Sequence, residues 1–348
     1  MSGIEASPAT DTSLDHSRKR FTGLLWAALT VSIFAGWFVI TRFSVTRELG
    51  IWDITALRFG IGTVLLAPVL IRRRTTLSRT AWGEGLAFAM LWGAPFVLLV
   101  ALGLSLTSAA QAASIAPTLM PLFAGIFAWI FLGEHQGRQR WAGYLGIFAG
   151  LSLLILSGAA AHGPPSLVGL GALVVAAAMW AVYTLLFRNS GLTPIESAAL
   201  ICFWSTVLFL PIYLFFGLSR LSHASASEIA LQVIYQGVLM SGVAIITFNR
   251  AVSLLGSSAA TAIIALVPAV ASLLAVPILG ETPSGIECAA IAIIVAGVLL
   301  ASRRPDMTNP PEPNGDLHDP ILFPPDTQPG EDRVVSGRGG PALRGGSR

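Results

Sequence analysis

The sequence predicts an all-α integral membrane fold with ten transmembrane helices, arranged as two inverted five-helix repeats. Composition, an internal repeat and the placement of basic residues lead to this prediction. The chain is 54% hydrophobic and only 11% charged, and its mean hydropathy is +0.74. A soluble domain carries about 25% charged residues. Most of the chain therefore has lipid as its solvent.

An internal repeat runs through the apolar part of the chain. The tripeptide Leu-Gly-Glu ends one apolar segment at Glu134 and a second one at Glu281, 147 positions later. Earlier in each half the offset is 143 positions. Further matched pairs are Pro95 with Gly242, Pro121 with Pro268, Gly150 with Gly297, Trp37 with Trp180, and Thr63 with Thr206. Repeats of this kind in an apolar chain are typical of membrane proteins built by duplication.

The apolar segments have the length of membrane-spanning helices. A helix needs about 20 mainly apolar residues to cross the hydrocarbon core. This criterion predicts spans at 21–43, 51–71, 82–106, 108–133, 139–157, 167–187, 194–216, 229–250, 257–279 and 285–302. The joins at Thr107 and Gly256 are very short. We therefore expect tight antiparallel hairpins at both joins.

Basic residues set the expected orientation, because they accumulate on the cytoplasmic side. With the N-terminus inside, that side holds Arg18, Lys19, Arg20, Arg72, Arg73, Arg74, Arg79, Arg138, Arg140, Arg188, Arg250, Arg303 and Arg304. The opposite side holds Arg42, Arg47 and Arg220. Both termini are then cytoplasmic, and an odd number of helices per repeat gives the two repeats opposite orientations.

The domain organisation follows from these spans. We expect a polar cytoplasmic N-terminus at 1–20, a first repeat at 21–157 and a periplasmic linker at 158–166. The second repeat follows at 167–303. Residues 304–348 are rich in Pro, Gly and Asp, and they hold too little apolar surface to fold alone. We expect them to form a disordered cytoplasmic tail.

The pattern resembles a known family. It has a Trp within the first helix, Arg in the second, Gly93-Ala94-Pro95-Phe96 in the third and both Leu-Gly-Glu closures. Over about residues 21–303 it is similar to the EamA branch of the drug/metabolite transporter superfamily. The resemblance implies a polytopic inner-membrane carrier of small metabolites, often an amino-acid exporter. It also implies a central cavity lined by helices 1–4 and 6–9, with helices 5 and 10 at the periphery.

Groups that bear catalytic chemistry are missing from the sequence pattern. It contains no paired carboxylates at metal-ligand spacing, no phosphate-binding loop and no nucleophile–base set. We expect no enzyme activity, no cofactor and no metal. The expected partners are a small-molecule substrate and the lipid bilayer rather than nucleic acid, and one chain should form a complete transport path.

Helix-breaking residues from both repeats fall at one depth. They are Gly93, Pro95, Pro117, Pro121, Gly242 and Pro268. Irregular backbone at membrane depth is tolerated only inside protein or beside a cavity. The pattern is therefore consistent with a midplane cavity whose backbone acts as hinges, or with ordinary kinks packed between helices.

Arg58 is the strong charge that lies well inside a predicted span. Its burial costs about 2.5–3.5 kcal/mol on insertion scales, so another interaction must offset it. Its repeat mate is Ile201, so the duplicated fold does not require an arginine there. Either Arg58 holds a carboxylate or phosphate of the substrate, or it is structural, bonded to carbonyls or paired with Asp53.

The remaining candidates are aromatic, polar or acidic. We expect the cavity lining to include Trp37, Trp92, Trp180, Tyr183, Gln236 and Ser241, although tryptophan in a span is also a common packing residue. Glu84, in the first turn of helix 3, is either a coupling carboxylate or compensates the helix dipole. Glu134 and Glu281 end their helices, where acids are unfavourable, so each needs a partner and would act as a gate or structural lock.

The sequence therefore predicts an inner-membrane secondary transporter that works by alternating access at a midplane cavity. The favoured substrates are amino acids or related solutes, moved outward. Two alternatives remain at this point. One is an exporter of drugs or organic cations, and the other is a non-transporting sensor or assembly partner that uses the Pro-rich tail.

Overall fold

The computed structural model describes residues 9–73, 76–133, 137–162, 166–255 and 257–301, and in these ranges it contains helices but no strand. The helices are α1 (Ala9–Val45), α2 (Ile51–Arg73), α3 (Arg79–Trp92), α4 (Ala94–Leu106), α5 (Ala109–Leu132), α6 (Arg138–His162), α7 (Leu167–Arg188), α8 (Pro194–Phe215), α9 (Ala226–Gln232), a π-helical segment (Val233–Val243), α10 (Ala244–Leu255), α11 (Ser257–Leu279) and α12 (Gly285–Ala301). Glu134, Gly256 and the predicted 304–348 tail lie outside the described residues.

Within those ranges, eight helices are long and apolar enough to cross a membrane, and the shorter Ala265–Leu279 and Gly285–Ala301 are also apolar. Two of the eight are composite. α3 and α4 together form Arg79–Leu106, and α9, the π-helical segment and α10 together form Ala226–Leu255. The prediction of an all-helical membrane fold is therefore confirmed.

Side-chain caps explain where several helices begin. Ser108 and Gln111 form a reciprocal capping box at the start of α5, and Thr193 and Glu196 form one at the start of α8. Each box satisfies backbone N–H groups that have no partner within the helix. The two-residue join between α4 and α5, at Thr107 and Ser108, is as short as predicted.

The predicted start of helix 3 was wrong. The Ser78 hydroxyl accepts a hydrogen bond from the Ala81 backbone N–H at 3.0 Å, so α3 begins at Arg79 rather than at residue 82. Glu84 therefore lies in the second turn of α3, not the first. The favourable interaction of a carboxylate with a helix N-terminus falls off beyond the first turn, so dipole compensation does not account for Glu84.

Both Leu-Gly-Glu closures share one backbone conformation. Gly133 has φ 66° and Gly280 has φ 72°, and both follow the last residue of their helices. This left-handed conformation is the usual end of a helix, and glycine adopts it without the steric penalty of a Cβ atom. The repeated glycine is thus a helix-ending device in each half.

Equivalent helices of the two repeats pack against each other. α2 packs on α8, α5 on α11 and α6 on α12. The repeat mates Thr63 and Thr206 even share a hydrogen bond, with 2.8 Å between their hydroxyl oxygens. Helix pairs that are not mates also come in matching sets, since α1 packs on α11 as α7 packs on α5. Packing between the two halves therefore follows the sequence repeat.

Glycine allows α6 and α12 to approach closely. A Cβ atom on Gly297 would lie 2.7 Å from the Ile147 backbone nitrogen and 2.9 Å from the Gly143 carbonyl oxygen. Small residues permit this kind of backbone contact in membrane helices. The repeat mates Gly150 and Gly297 thus serve the same contact from opposite sides.

The substitution Gly297→Ala should separate α6 from α12. We expect overpacking to destabilise the protein by about 1–3 kcal/mol, measured as a lower thermal-unfolding midpoint by circular dichroism in detergent. Gly171→Ala is the matched control, because no atom lies within 4 Å of the position that its Cβ would occupy. Equal midpoints for the two variants would contradict the close approach.

Candidate functional site

A cavity of about 310 Å³ lies within the helix bundle. We call it the central cavity, and its lining includes Arg58, Trp92, Trp180, Tyr183, Ser241 and Asn249. It extends toward the end of the bundle where α7 ends and α8 begins, because Phe187 and Pro194 also line it. Five of the predicted site residues thus share one cavity wall.

Arg58 enters this cavity from α2 and is only 6% exposed. Its Nη1 donates one long hydrogen bond, 3.4 Å, to Gln236 Oε1. Its guanidinium carbon lies 5.0 Å from the ring centroid of Trp37 and 5.8 Å from that of Phe59. Among the described residues no carboxylate lies within ion-pair distance of Arg58. Cation–π contacts and one weak hydrogen bond therefore hold a buried charge.

The proposed pairing of Arg58 with Asp53 is wrong. Asp53 Oδ1 accepts hydrogen bonds from the Tyr213 hydroxyl at 2.6 Å and from the Arg220 backbone N–H at 3.0 Å, and its Oδ2 accepts one from the Gly50 N–H at 2.8 Å. Asp53 lies in the first turn of α2, where the helix dipole also favours it. Its acceptor sites are thus used near the helix start, well away from the guanidinium.

Aromatic rings line the same cavity as the arginine. Trp92 stacks on Tyr183 with 4.9 Å between centroids and 6° between planes, and Trp180 lies 6.0 Å from Trp92. The Tyr183 hydroxyl shares a hydrogen bond with Ser197 at 3.2 Å. Trp92 Nε1 is buried and has no hydrogen-bond partner. A second polar donor therefore stands unused beside the cavity.

Gln236 lies behind Arg58 rather than in the cavity wall. It is fully buried in the π-helical segment. Its Oε1 accepts from Trp37 Nε1 at 2.9 Å as well as from Arg58, and its Nε2 donates to Thr41 Oγ1 at 2.8 Å. Ser241, a predicted lining residue, does line the cavity. Gln236 thus positions Arg58 and the Trp37 ring.

The structure places the predicted hinge residues on α4, α5, α11 and the π-helical segment. The helix breaks at Gly93, between α3 and α4, and the Ala94 N–H donates to Ser205 Oγ of α8 at 3.2 Å. Pro95 lies in the first turn of α4. Pro117 and Pro121 lie inside α5, Pro268 lies inside α11, and Gly242 lies in the π-helical segment. Their role as hinges stays a prediction.

A separate pocket of about 480 Å³ lies at the opposite end of the bundle and is lined by Glu281, Arg42 and Gln111 among others. We call this end the Glu281 end. Arg42 Nε lies 3.2 Å from Glu281 Oε1, and Glu281 Oε2 accepts from the Ala109 N–H at 2.9 Å. One carboxylate therefore joins α1 and α5 to the end of α11.

Trp37, Phe96, Pro117 and Val267, which we call the apolar layer, line a small space of about 30 Å³ beside the central cavity. Arg58, Trp92 and Trp180 line both this space and the central cavity, and none of these residues lines the pocket at the Glu281 end. The predicted need of Glu281 for a partner is met by Arg42, a residue that the sequence analysis did not single out. The predicted orientation puts Arg42 and Glu281 on the same side of the membrane, and this is the signal in the sequence that could have indicated their pairing.

Two further points concern the predicted coupling residue Glu84 and the side chains that could bind a metal ion. Glu84 is half-buried and lines neither of the two larger cavities. In the part of the chain that the structure describes, no three His, Cys, Asp or Glu side chains cluster in a way that could hold a metal ion. Arg58 is therefore the charged side chain in the described lining of the central cavity.

The comparison with protein families gives the two halves one assignment. The model described as the EamA-like transporter family matches residues 21–156 and again residues 167–303. This chain belongs to the EamA-like transporter family. The resemblance of the sequence to that family and its duplication are thereby confirmed, and the protein is a multi-pass membrane protein.

Individual EamA relatives agree with this assignment. The chain is 31% identical over 200 residues to a protein of Streptantibioticus cattleyicolor named "Probable terminal-alkyne amino-acid exporter", covering 56% of this chain and 65% of that one. It is 25% identical over 291 residues to an "Uncharacterized transporter" of Archaeoglobus fulgidus, covering 80% and 97%. A crystal structure that is 23% identical matches with a TM-score of 0.57, over 81% of this chain and 97% of that one.

The substitution Gln236→Leu should destabilise the EamA protein, because Trp37 Nε1 and Arg58 both lose their acceptor. Each buried group left unsatisfied costs about 1–3 kcal/mol, so we expect a lower thermal-unfolding midpoint in detergent. Gln139→Leu, the same change at an exposed position of α6, is the control and should unfold close to the wild type. A stable Gln236→Leu variant would contradict the positioning role of this amide.

Proposed function

We propose that this protein is a secondary transporter that exports small carboxylate-bearing metabolites, amino acids or related solutes, by alternating access at the central cavity. The observation that carries the proposal is Arg58. It is a buried guanidinium without a carboxylate partner among the described residues, and it faces a cavity of suitable size for a small solute. A carboxylate from the solute would complete its electrostatic environment.

Two features of the cavity favour a solute that is polar at one end and apolar at the other. Arg58 and its repeat mate Ile201 both line the cavity, so one wall is charged and the equivalent wall is apolar. Trp92, Trp180 and Tyr183 add aromatic surface. A carboxylate bound at Arg58 would place its apolar part against these rings. The relative named as an amino-acid exporter supports this substrate class.

The proposed architecture has ten spans. The last two are the shorter apolar helices Ala265–Leu279, which lies within α11, and Gly285–Ala301, which is α12. Five helices per repeat invert the second half relative to the first, which agrees with the packing of mates such as Thr63 and Thr206. The distribution of basic residues supports cytoplasmic termini in a protein of the bacterial inner membrane. The Glu281 end then faces outward, and one chain forms the whole path.

Alternating access assigns a role to each end. The central cavity extends toward the cytoplasmic end, while the Arg42–Glu281 pair and the apolar layer close the outer end. We assign Glu281 as the outer gate and place Glu134 at the equivalent position of the first repeat. Gly93 and the π-helical segment provide the interruptions at which the helices bend. Export would require the outer pair to separate as the inner end closes.

Replacing Arg58 with Gln should abolish most transport while the protein still inserts and folds. A hydrogen bond to a charged group contributes about 1.5–3 kcal/mol, so solute binding should weaken by roughly 10- to 100-fold. The measurement is uptake into proteoliposomes of a panel of amino acids, including L-leucine, small organic acids and organic cations, followed by mass spectrometry.

The matched control is Arg250→Gln, which removes an exposed arginine in the middle of α10 and should leave uptake unchanged. Retained uptake in Arg58→Gln would remove Arg58 from the site. Uptake of organic cations alone would overturn the carboxylate assignment in favour of a cation exporter. A folded wild-type protein that moves no member of the panel would contradict the proposed substrate class.

The native Cys202 reports on which side the cavity opens, because it lines the central cavity. In a Cys288→Ser background, a membrane-impermeant maleimide should label Cys202 faster from the cytoplasmic side. Glu281→Gln should raise labelling from the outer side several-fold, because Arg42 and the Ala109 N–H lose their charged partner. Labelling that does not depend on the side or on Glu281 would argue against an outer gate.

A further inference from the structure

A line of polar side chains runs from the Glu281 end of the bundle to Arg58. Glu228, Gln232 and Gln236 follow one another at four-residue spacing along α9 and the π-helical segment. Gln232 Nε2 donates to Ser44 Oγ at 2.8 Å and to the Ile40 carbonyl at 3.0 Å, and Gln236 donates to Thr41. We call Glu228, Ser44, Gln232, Thr41 and Gln236 the polar ladder. It lies between α1 and the α9–π helix and ends at Arg58.

Two oxygen atoms at the end of the ladder away from Arg58 have no hydrogen-bond donor. They are Glu228 Oε1 and Gln232 Oε1, and both atoms are buried. Glu228 is 6% exposed and Gln232 is 0% exposed. The Ser44 hydroxyl accepts from Gln232 and lies close enough to Glu228 to act on its carboxyl group. Buried oxygen atoms without donors are costly, so this site calls for a bound proton or cation.

Glu48 is the second carboxyl group that acts on Glu228. It is exposed, whereas Glu228 is 6% exposed and has one carboxylate oxygen without a donor. The Ser225 backbone N–H donates to Glu48 Oε2 at 2.6 Å. This bond lowers the pKa of Glu48, with a further contribution from Arg47. Ionised Glu48 is therefore satisfied in this arrangement, whereas Glu228 gains when its carboxyl group binds a proton.

The neighbouring helices bring few other charges to this position. α9 packs on α1, α2 and the π-helical segment, and that segment has no charged residue. The end of α1 contributes Arg47 and Glu48, and Arg42 is paired with Glu281. Asp53 of α2 is bound to Tyr213 and to the Arg220 backbone. Glu48 and Arg47 are thus the charged groups that act on Glu228.

We propose that Glu228 is the proton-binding carboxylate that couples transport to the proton gradient. A proton from the outer side joins the Glu228 carboxylate, and the same proton is released when the site opens to the cytoplasm, in exchange for exported solute. Protonation turns Glu228 from an acceptor into a donor toward Ser44. Because α1 carries Ser44, Thr41, Trp37 and the gate residue Arg42, the change reaches both the solute site and the outer gate. This inference rests on the proposed function.

The first test does not depend on any solute. Infrared difference spectra of the purified protein between acidic and alkaline buffer should contain the C=O stretch of a protonated carboxyl group. Glu228→Gln should lose that band, while Glu84→Gln, the competing assignment, should keep it. Glu48→Gln, an exposed and structurally mild change, should alter the pH at which the band titrates. A band that survives Glu228→Gln, or disappears with Glu84→Gln, overturns the proposal, as does an unchanged titration in Glu48→Gln.

The second test uses L-leucine in proteoliposomes, with and without an imposed pH gradient. Glu228→Gln should retain exchange of labelled for unlabelled leucine and lose accumulation driven by the gradient. Accumulation that persists in Glu228→Gln, or that follows a sodium gradient instead, overturns the coupling role. A wild-type protein that does not move leucine contradicts the proposed substrate class, and in that case loss of the infrared band in Glu228→Gln still supports the proton site.

Discussion

One buried amide, that of Gln236, holds the transport site together. Its oxygen accepts from Trp37 on α1 and from Arg58 on α2, and its nitrogen donates to Thr41 one turn further along α1. The amide uses most of its hydrogen-bonding capacity inside the protein, where unmet polar groups are costly. π-Helical winding is rare and is frequent at functional sites. Here it presents Gln236 to both helices at once and so fixes the guanidinium beside the cavity.

The duplication provides a scaffold, and departures from its symmetry provide chemistry. Mates pack together as α2 with α8 and α6 with α12, and Thr63 meets Thr206 directly. In contrast, Arg58 corresponds to Ile201, and both line the cavity. Packing does not require a charge at this position, because the apolar side chain of Ile201 occupies the equivalent position in the other repeat. The asymmetry therefore makes Arg58 the point at which the two repeats differ in charge within the cavity.

The charges in the bundle fall into two kinds. Asp53 and Glu281 are satisfied by hydrogen bonds and an ion pair at the bundle end. Arg58 and Glu228 are each 6% exposed, and among the described residues each lacks part of what its charged form needs: Arg58 has no carboxylate within ion-pair distance and Glu228 Oε1 has no donor. A fixed ion pair strengthens one arrangement of helices, whereas an unsatisfied group gains free energy when a ligand arrives. Membership of the EamA-like transporter family gives such ligands a path across the membrane.

The sequence by itself determined the helices, the duplication, the glycine at both helix closures and the isolation of Arg58 among apolar residues. These are properties of local composition and spacing. Only the tertiary structure decided that Asp53 binds Tyr213 instead of Arg58, that Glu281 pairs with Arg42, and that Glu228 lies in a buried ladder. The partners are far apart in the chain, and helices that are apolar on all sides give little sign of which face meets protein and which meets lipid. Helix packing therefore selected the polar contacts on which the proposed mechanism depends.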